Sequence, residues 1–372
     1  MKRANKIIIS GGGSGGHIFP ALAIAKALKK IDHSIDILFI GAKGKIEMEK
    51  VPKAGFPIEG LWISGFHRKK MWRNILFPFK LLHSIFKASA LIRKFKPAVV
   101  VGVGGFASGP TLYVASRKSI PTLIQEQNSY PGMTNKLLAK KVDMICGAYT
   151  GLERWFPKEK IKLLGNPVRE NLFEIQSEKE EALQHFGFKK NKQVIIMIGG
   201  SLGASSFNKA MKANADFFKA NPQIQFLWQC GKLYYEEYRS CETALLPNVK
   251  ISAFIDKMDL AYTMADLIIA RAGAGTIAEL MVIGKPVILV PSPNVAEDHQ
   301  TPNAQALVDK DAALLVPDSK INEDLFPTAL DLLQNKSQAA ELGKQIKKLQ
   351  VRDAAEKIAQ EVLALIPKSA GV

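Results

Sequence analysis

The sequence predicts an α/β protein of two parallel-sheet domains, and three observations carry that prediction. Ile- and Val-rich strand patterns alternate with helical patterns along the chain, the signature of βαβ units. Two of those strands run into a glycine-rich turn and then a helix, so the architecture begins twice. At 372 residues the chain is too long for one ordinary core, and it suits two domains of roughly 150 to 200 residues with a cleft between them.

The strand patterns fall at Lys6–Ser10, Ile35–Ile40, Ala98–Val103, Thr122–Gln125, Met144–Cys146, Val194–Ile198, Phe226–Gln229, Leu267–Ala270 and Pro286–Val290. The first, KIIIS, enters GGGSGGH (Gly11 to His17), and VIIMI enters GGSLGAS (Gly199 to Ser205), which gives two Rossmann-like openings. Between the halves lies LLGNPVRENLF, where Asn166-Pro167 breaks regular structure and reads as a linker. The expected division is residues 1–167, residues 168–345, and a C-terminal helix in 346–372 that packs back on the first domain. The amphipathic pattern of that tail extends from Gln338 to Ile366.

Composition narrows the class. Three cysteines, Cys146, Cys230 and Cys241, without CxxC spacing suggest neither a disulfide framework nor a zinc site. The start, MKRANKIIIS, has too short an apolar run for a signal-peptide core and reads as a strand. The uncharged stretch Pro97 to Ser116 is interrupted by glycines and Pro110, which fits strand, loop and helix better than a membrane span.

A formal charge of +17 calls for an anionic partner. No acidic residue occurs from Gly60 to Gln125, while Arg68, Lys69, Lys70, Arg73, Lys80 and Lys87 interleave with Trp62, Phe66, Trp72, Leu76, Phe79, Leu82 and Phe86. Basic residues among bulky apolar ones match an interfacial patch over residues 62–87 rather than a nucleic-acid reader. The competing reading is a core helix with snorkelling lysines.

The first turn spells GxGxxG through Gly11, Gly13 and Gly16, which lets backbone N–H groups approach a pyrophosphate. A dinucleotide site would also want an acid at the end of the second strand, but that strand ends Phe39-Ile40-Gly41-Ala42. His17 sits where the first helix begins, so the helix dipole favours a neutral imidazole able to accept a proton. It either caps the turn or acts as a base. Ser201 offers a hydroxyl at the second turn, or an N-cap. In RAGAGTIAE (Arg271 to Glu279) the glycines precede a helix, and Glu279 could take both ribose hydroxyls or complete a capping box with Thr276. The run Ala296 to Ala304 carries amides and acids suited to sugar hydroxyls. In QEQN, Gln125 to Asn128, Glu126 lies at a strand's carboxyl end as base or as structure. Asp309-Lys310-Asp311 spells DxD but falls in a helix-to-strand turn, so no active-site metal and no cofactor is expected.

Taken in order, GGGSGGH, GVGGFASGP (Gly102 to Pro110), QEQN, GNPVR (Gly165 to Arg169), GGSLGA, FID (Phe254 to Asp256), RAGAGTIAE and DHQTPNA resemble the motif set of the MurG family, the UDP-N-acetylglucosamine transferases of peptidoglycan synthesis. The match spans nearly the whole chain and implies the GT-B architecture. It implies that UDP-GlcNAc contacts Ser14, Gly15, Gly16, His17, Asn128, Arg169, Ser201, Ile255, Ala274, Gly275, Thr276, Ile277, Ala278, Glu279 and Gln300. Within that set Ile255 would hold uracil, Glu279 the ribose, Ser201 and the helix start near Gly275 the pyrophosphate, Arg169 a phosphate, and Gln300 the sugar.

The acceptor implied is undecaprenyl-pyrophosphoryl-MurNAc-pentapeptide (lipid I), met by Gly13, Gly104, Gly105, Phe106 and Asn135 in the N-terminal domain. The implied reaction inverts the anomeric centre in one displacement, with His17 or Glu126 as base. The implied setting is the cytoplasmic face of the inner membrane, held peripherally, beside other cell-wall synthesis proteins. Departures from the family pattern are Ser14 for Thr, Phe106 for Tyr and Ala272 for Ser. The Phe106 change removes a hydroxyl near the expected acceptor site.

Overall fold

A computed structural model describes residues 5–65, 74–168, 172–175, 177–200, 202–295 and 298–367. The chain divides into two compact units, Met1–Val168 with Val351–Val372, and Arg169–Gln350. Each is built on its own parallel sheet.

In the first unit β1 (Lys6–Ser10), β2 (Asp36–Ala42), β3 (Ile58–Leu61), β4 (Val99–Gly102), β5 (Thr122–Glu126), β6 (Met144–Gly147) and β7 (Ile161–Leu163) form a seven-stranded sheet. Its order is β3-β2-β1-β4-β5-β6-β7 with every pairing parallel. The central strands read as unbroken aliphatic runs because both faces are covered. Ile7 and Ile9 pack with the helix Gly15–Ile31 on one face, and Ile8 packs with Ala88, Ile92 and Leu112 on the other.

The second unit repeats the plan with β8 (Gln193–Ile198), β9 (Ile224–Gln229), β10 (Val249–Ser252), β11 (Leu267–Ala270), β12 (Val287–Leu289) and β13 (Leu314–Leu315). Their order is β10-β9-β8-β11-β12-β13, again all parallel. In both sheets the order reverses beside the strand that opens the unit, between β1 and β4 and between β8 and β11. At such a reversal the loops leaving the carboxyl ends of neighbouring strands turn to opposite faces and leave a crevice.

The amphipathic tail is two helices rather than one. Lys336–Lys348 stays in the second unit against Ala274–Ile283, where Gly343 meets the backbone of Gly284. The chain then breaks at Asp353, whose φ of 58° no helix admits. It resumes as Ala354–Ala364, which buries Ile358, Ala359 and Val362 against the first unit's core. Cys146 and Cys230 are buried free thiols. Desolvation pushes them up to about 12 and about 11, so neither is a thiolate at neutral pH.

Because Ile358 fills the first unit's core from a segment distant in sequence, Ile358→Ala should cost about 2–4 kcal/mol of that unit's stability. Urea unfolding with a probe in each unit checks this. The N-terminal probe shifts and the C-terminal one does not; a shift in neither would detach the helix from this core.

Candidate active site

The first crevice is assembled from backbone. Gly11–Ser14 leaves β1 and Val103–Ala107 leaves β4, and the two loops touch with no room for side chains between them. Gly105 has φ of +85°, and a Cβ there would lie 2.1 Å from the Gly12 carbonyl oxygen. A Cβ on Gly104 would lie 2.8 Å from Cε1 and 2.9 Å from Nδ1 of His17, so the imidazole rests on bare backbone. Phe106, 39% exposed, stands over Gly13 and Gly65 at the rim. Ser14 makes no side-chain cap, which leaves the first-turn N–H groups of Gly15 and Gly16 directed out of the helix end.

Two carboxylates hold this arrangement from below. Glu47, wholly buried, accepts from the N–H of Gly13 and of Ala42, each at 2.9 Å. Gly13 therefore spends its amide inward on Glu47. No sequence signal marks Glu47, because the loop it holds lies far upstream. It also explains the missing ribose acid after β2: the nearest carboxylate is turned under the glycine loop.

Glu126, 1% exposed, accepts from Asn128 N (3.0 Å), Asn128 Nδ2 (3.2 Å), Gly132 N (3.1 Å) and Asn135 Nδ2 (2.8 Å). A carboxylate has about four lone-pair sites, and here each meets a donor. In this structure Glu126 is thus the frame of the Glu126–Asn135 loop, and both of its oxygens are engaged. Asn135, 2% exposed, joins that frame through Nδ2, while its buried Oδ1 has no hydrogen-bond partner among the described residues. His17 is different: its Nδ1 lies 3.0 Å from Gln127 Oε1 and its ring is only partly buried.

In the second unit the expected donor residues gather at the carboxyl edge of the sheet. Ile255, 4% exposed, lies in the turn after β10, where Ser252 Oγ donates to the Phe254 carbonyl at 2.8 Å. The helix Ala274–Ile283 starts behind Gly273 with no side-chain cap, and Gly275 has open space where a Cβ would stand. Thr276 is inside the helix, not at its cap, so the capping-box alternative for Glu279 does not apply. Glu279 Oε2 instead accepts from Tyr262 Oη at 2.9 Å, which aims the carboxylate.

Gln300, 8% exposed, accepts through Oε1 from Ser292 N at 2.8 Å. Arg271 is structural: Nη1 donates to Val290 O at 3.0 Å and pairs with Asp318 at 2.6 Å, while Nη2 meets Ser206. It thereby ties the loops after β8, β11 and β12 together. Asp309 and Asp311 lie past the far end of Gln300–Val308, away from this edge. Arg169, Ser201 and the residues 66–73 of the basic segment lie outside the described residues.

Each parallel-sheet unit thus brings an uncapped helix start to the carboxyl edge of its sheet, the first beside an imidazole and the second beside a carboxylate aimed by Tyr262. Residues 7–146 match the glycosyltransferase family 28 N-terminal domain and residues 194–358 match the glycosyltransferase family 28 C-terminal domain. The UDP-N-acetylglucosamine--N-acetylmuramyl-(pentapeptide) pyrophosphoryl-undecaprenol N-acetylglucosamine transferase of Bacteroides fragilis is 49% identical over 368 residues, covering 98% of this chain and 97% of that protein. Its counterpart from Bacteroides thetaiotaomicron is 50% identical over 367 residues, covering 98% and 99%. The crystal structure of Acinetobacter baumannii MurG superposes with a TM-score of 0.76 at 26% identity, over 97% of this chain and 99% of that one. The chain belongs to glycosyltransferase family 28, in the group formed by these MurG enzymes. A Neisseria meningitidis UDP-GlcNAc 2-epimerase with bound UDP-GlcNAc, 14% identical with a TM-score of 0.68 over 96% of this chain and 100% of that one, shares the fold alone.

The role of Glu47 predicts the outcome of Glu47→Gln. The new amide offers one oxygen for two N–H groups and sets its own NH2 against the other, so stability should fall by about 1–3 kcal/mol. Thermal and urea unfolding measure the loss; unchanged stability would refute the buried bridge.

Proposed function

We propose that this enzyme transfers N-acetylglucosamine from UDP-GlcNAc to the C4 hydroxyl of MurNAc in lipid I, giving lipid II with inversion at C1. The contrast between two side chains carries the assignment of roles: Glu126 is saturated by four donors, whereas the partly buried His17 makes one side-chain hydrogen bond, through Nδ1. His17 removes the acceptor proton as the oxygen attacks C1 and UDP leaves. No covalent intermediate is needed.

The donor is held by the second unit. The backbone of Ile255 pairs with uracil, Glu279 takes the ribose hydroxyls while Tyr262 fixes one of its oxygens, and the N–H groups of Ala274, Gly275 and Thr276 meet the diphosphate, with Ile277, whose N–H donates to the Gly273 carbonyl, and Ala278 behind them. Ser201 and Arg169 add phosphate contacts in this reading, and Gln300 Nε2 reads the sugar. Charge that builds on the departing diphosphate is stabilised at an amino-terminal helix end. In the first unit Ser14, Gly15 and Gly16 offer helix-start donors to phosphate, Asn128 lies beside the reacting sugars, and Gly104, Gly105 and Phe106 line the acceptor.

The acceptor's lipid places the reaction at an anionic membrane surface, in this reading the cytoplasmic face of the inner membrane. Support comes from the helix Phe77–Phe95, which buries Ser84, Ala88 and Ile92. It leaves Phe79 64%, Leu82 54% and Phe86 72% exposed along the other side, an apolar stripe that a core helix would not show. Ile75 and Leu76 continue it at 71% and 53%, and Lys80 lies 5.7 Å from the Trp62 ring. Basic residues beside such a stripe contribute about 1 kcal/mol each near an anionic leaflet. Among the described residues no helix is long and apolar enough to cross a membrane.

The deciding assay is transfer of labelled GlcNAc from UDP-GlcNAc to a lipid I analogue. His17→Ala should lower kcat by about 10² to 10⁴ with UDP affinity little changed, and Glu279→Ala should raise KM for UDP-GlcNAc. An unchanged kcat in His17→Ala removes the base. Replacing both Phe79 and Phe86 by Ser should weaken flotation with anionic vesicles by roughly tenfold or more; unaltered flotation removes the stripe from membrane binding.

A further inference from the structure

Beneath His17 lies a closed ring of three buried amides. Gln127 Nε2 donates to Gln125 Oε1, Gln125 Nε2 donates to Asn166 Oδ1 at 3.0 Å, and Asn166 Nδ2 donates to the Gln127 carbonyl at 2.9 Å. Gln125, Gln127 and Asn166 are 0%, 2% and 7% exposed. Gln127 Nε2 also faces Val103 O at 2.9 Å and Gln125 O at 3.1 Å. Every neighbour on that side is an oxygen, so the amide nitrogen must point there. Reversing it would set oxygen against oxygen among side chains that are almost wholly buried.

That leaves Gln127 Oε1 pointing at His17 Nδ1, 3.0 Å away. A carbonyl oxygen only accepts, so Nδ1 carries the proton, and a neutral imidazole has one proton to carry. Nε2 is then the bare lone pair. The ring lies against Gly104, where a Cβ would stand 2.8 Å from Cε1 and 2.9 Å from Nδ1 and push it off this axis.

We propose that Gln127 is a positioning residue that holds His17 as the Nδ1–H tautomer, so that Nε2 is the atom that takes the acceptor's proton. The proposal rests on His17 being the base and assigns the atom and the residue that selects it. Gln125 and Asn166 act one step further out, by fixing the orientation of the Gln127 amide. A neutral amide here orients the ring without adding the negative charge that a carboxylate partner would bring.

The test combines two readouts on the full chain. In ¹⁵N-histidine-labelled protein above the imidazole titration, long-range ¹H–¹⁵N correlation should show His17, identified by its loss in His17→Ala, as the Nδ1–H tautomer. In Gln127→Met, which fills the space but accepts nothing, the signal should become a tautomer mixture. kcat should then fall roughly ten- to a hundredfold, less than on losing the base itself, with KM for UDP-GlcNAc within about twofold. In Gln127→Glu a carboxyl oxygen again faces Nδ1 and accepts from it, so the Nδ1–H tautomer should return and kcat should recover to within about tenfold of the parent. A structural tie would lower stability in both variants without moving the tautomer. An Nε2–H tautomer in the parent, or an unaltered tautomer in Gln127→Met, overturns the proposal. A parent Nδ1–H tautomer together with an unchanged kcat in His17→Ala upholds the pairing and overturns the base reading beneath it.

Discussion

The backbone-to-backbone contact between Gly12 and Gly105 is the constraint on which the first unit's site depends. It exists because the sheet reverses its order beside β1, so the loops after β1 and β4 leave from adjacent carboxyl ends and compete for one volume. Only side chains reduced to hydrogen let them pass at that distance. The reward is a helix start and an imidazole brought to the same crevice, neither dependent on a mobile side chain for its place. The second unit meets the same demand differently. Its helix start at Ala274 is joined to the neighbouring loops by Arg271, whose guanidinium reaches Val290, Asp318 and Ser206.

Acidic residues near the two sites divide by their hydrogen-bond inventories. Glu47 and Glu126 are buried, and their oxygens are consumed by backbone N–H groups and side-chain amides. Charge-assisted hydrogen bonds of that kind hold loops firmly. Glu279 is only partly buried and is aimed by a phenol, which suits a carboxylate that must meet a ligand.

The interior of both sheets was legible in the sequence because strands covered on both faces must be unbroken aliphatic runs. The four strands that pattern reading overlooked, β3, β7, β10 and β13, are the edges of the two sheets. Edge strands are short and partly solvated, and IEGL, IKL, VKIS and LL have too little periodicity to separate from loop. The amphipathic pattern of the tail does not show the break before Ala354, because what divides it is that its two helices pack on different units. In the site, glycine turns and helix starts could be placed from spacing alone. The saturation of Glu126, the bridge by Glu47 and the amide ring under His17 could not, since each depends on partners that only the folded sheet brings together.

A crystal structure of the enzyme with UDP-GlcNAc tests the central assignment most directly. The account predicts both ribose hydroxyls within about 2.7–3.2 Å of Glu279, the diphosphate on the N–H groups that begin the helix Ala274–Ile283, and uracil on the backbone of Ile255. Nucleotide bound instead on the glycine turn of the first unit, with Glu279 remote from it, would contradict the account.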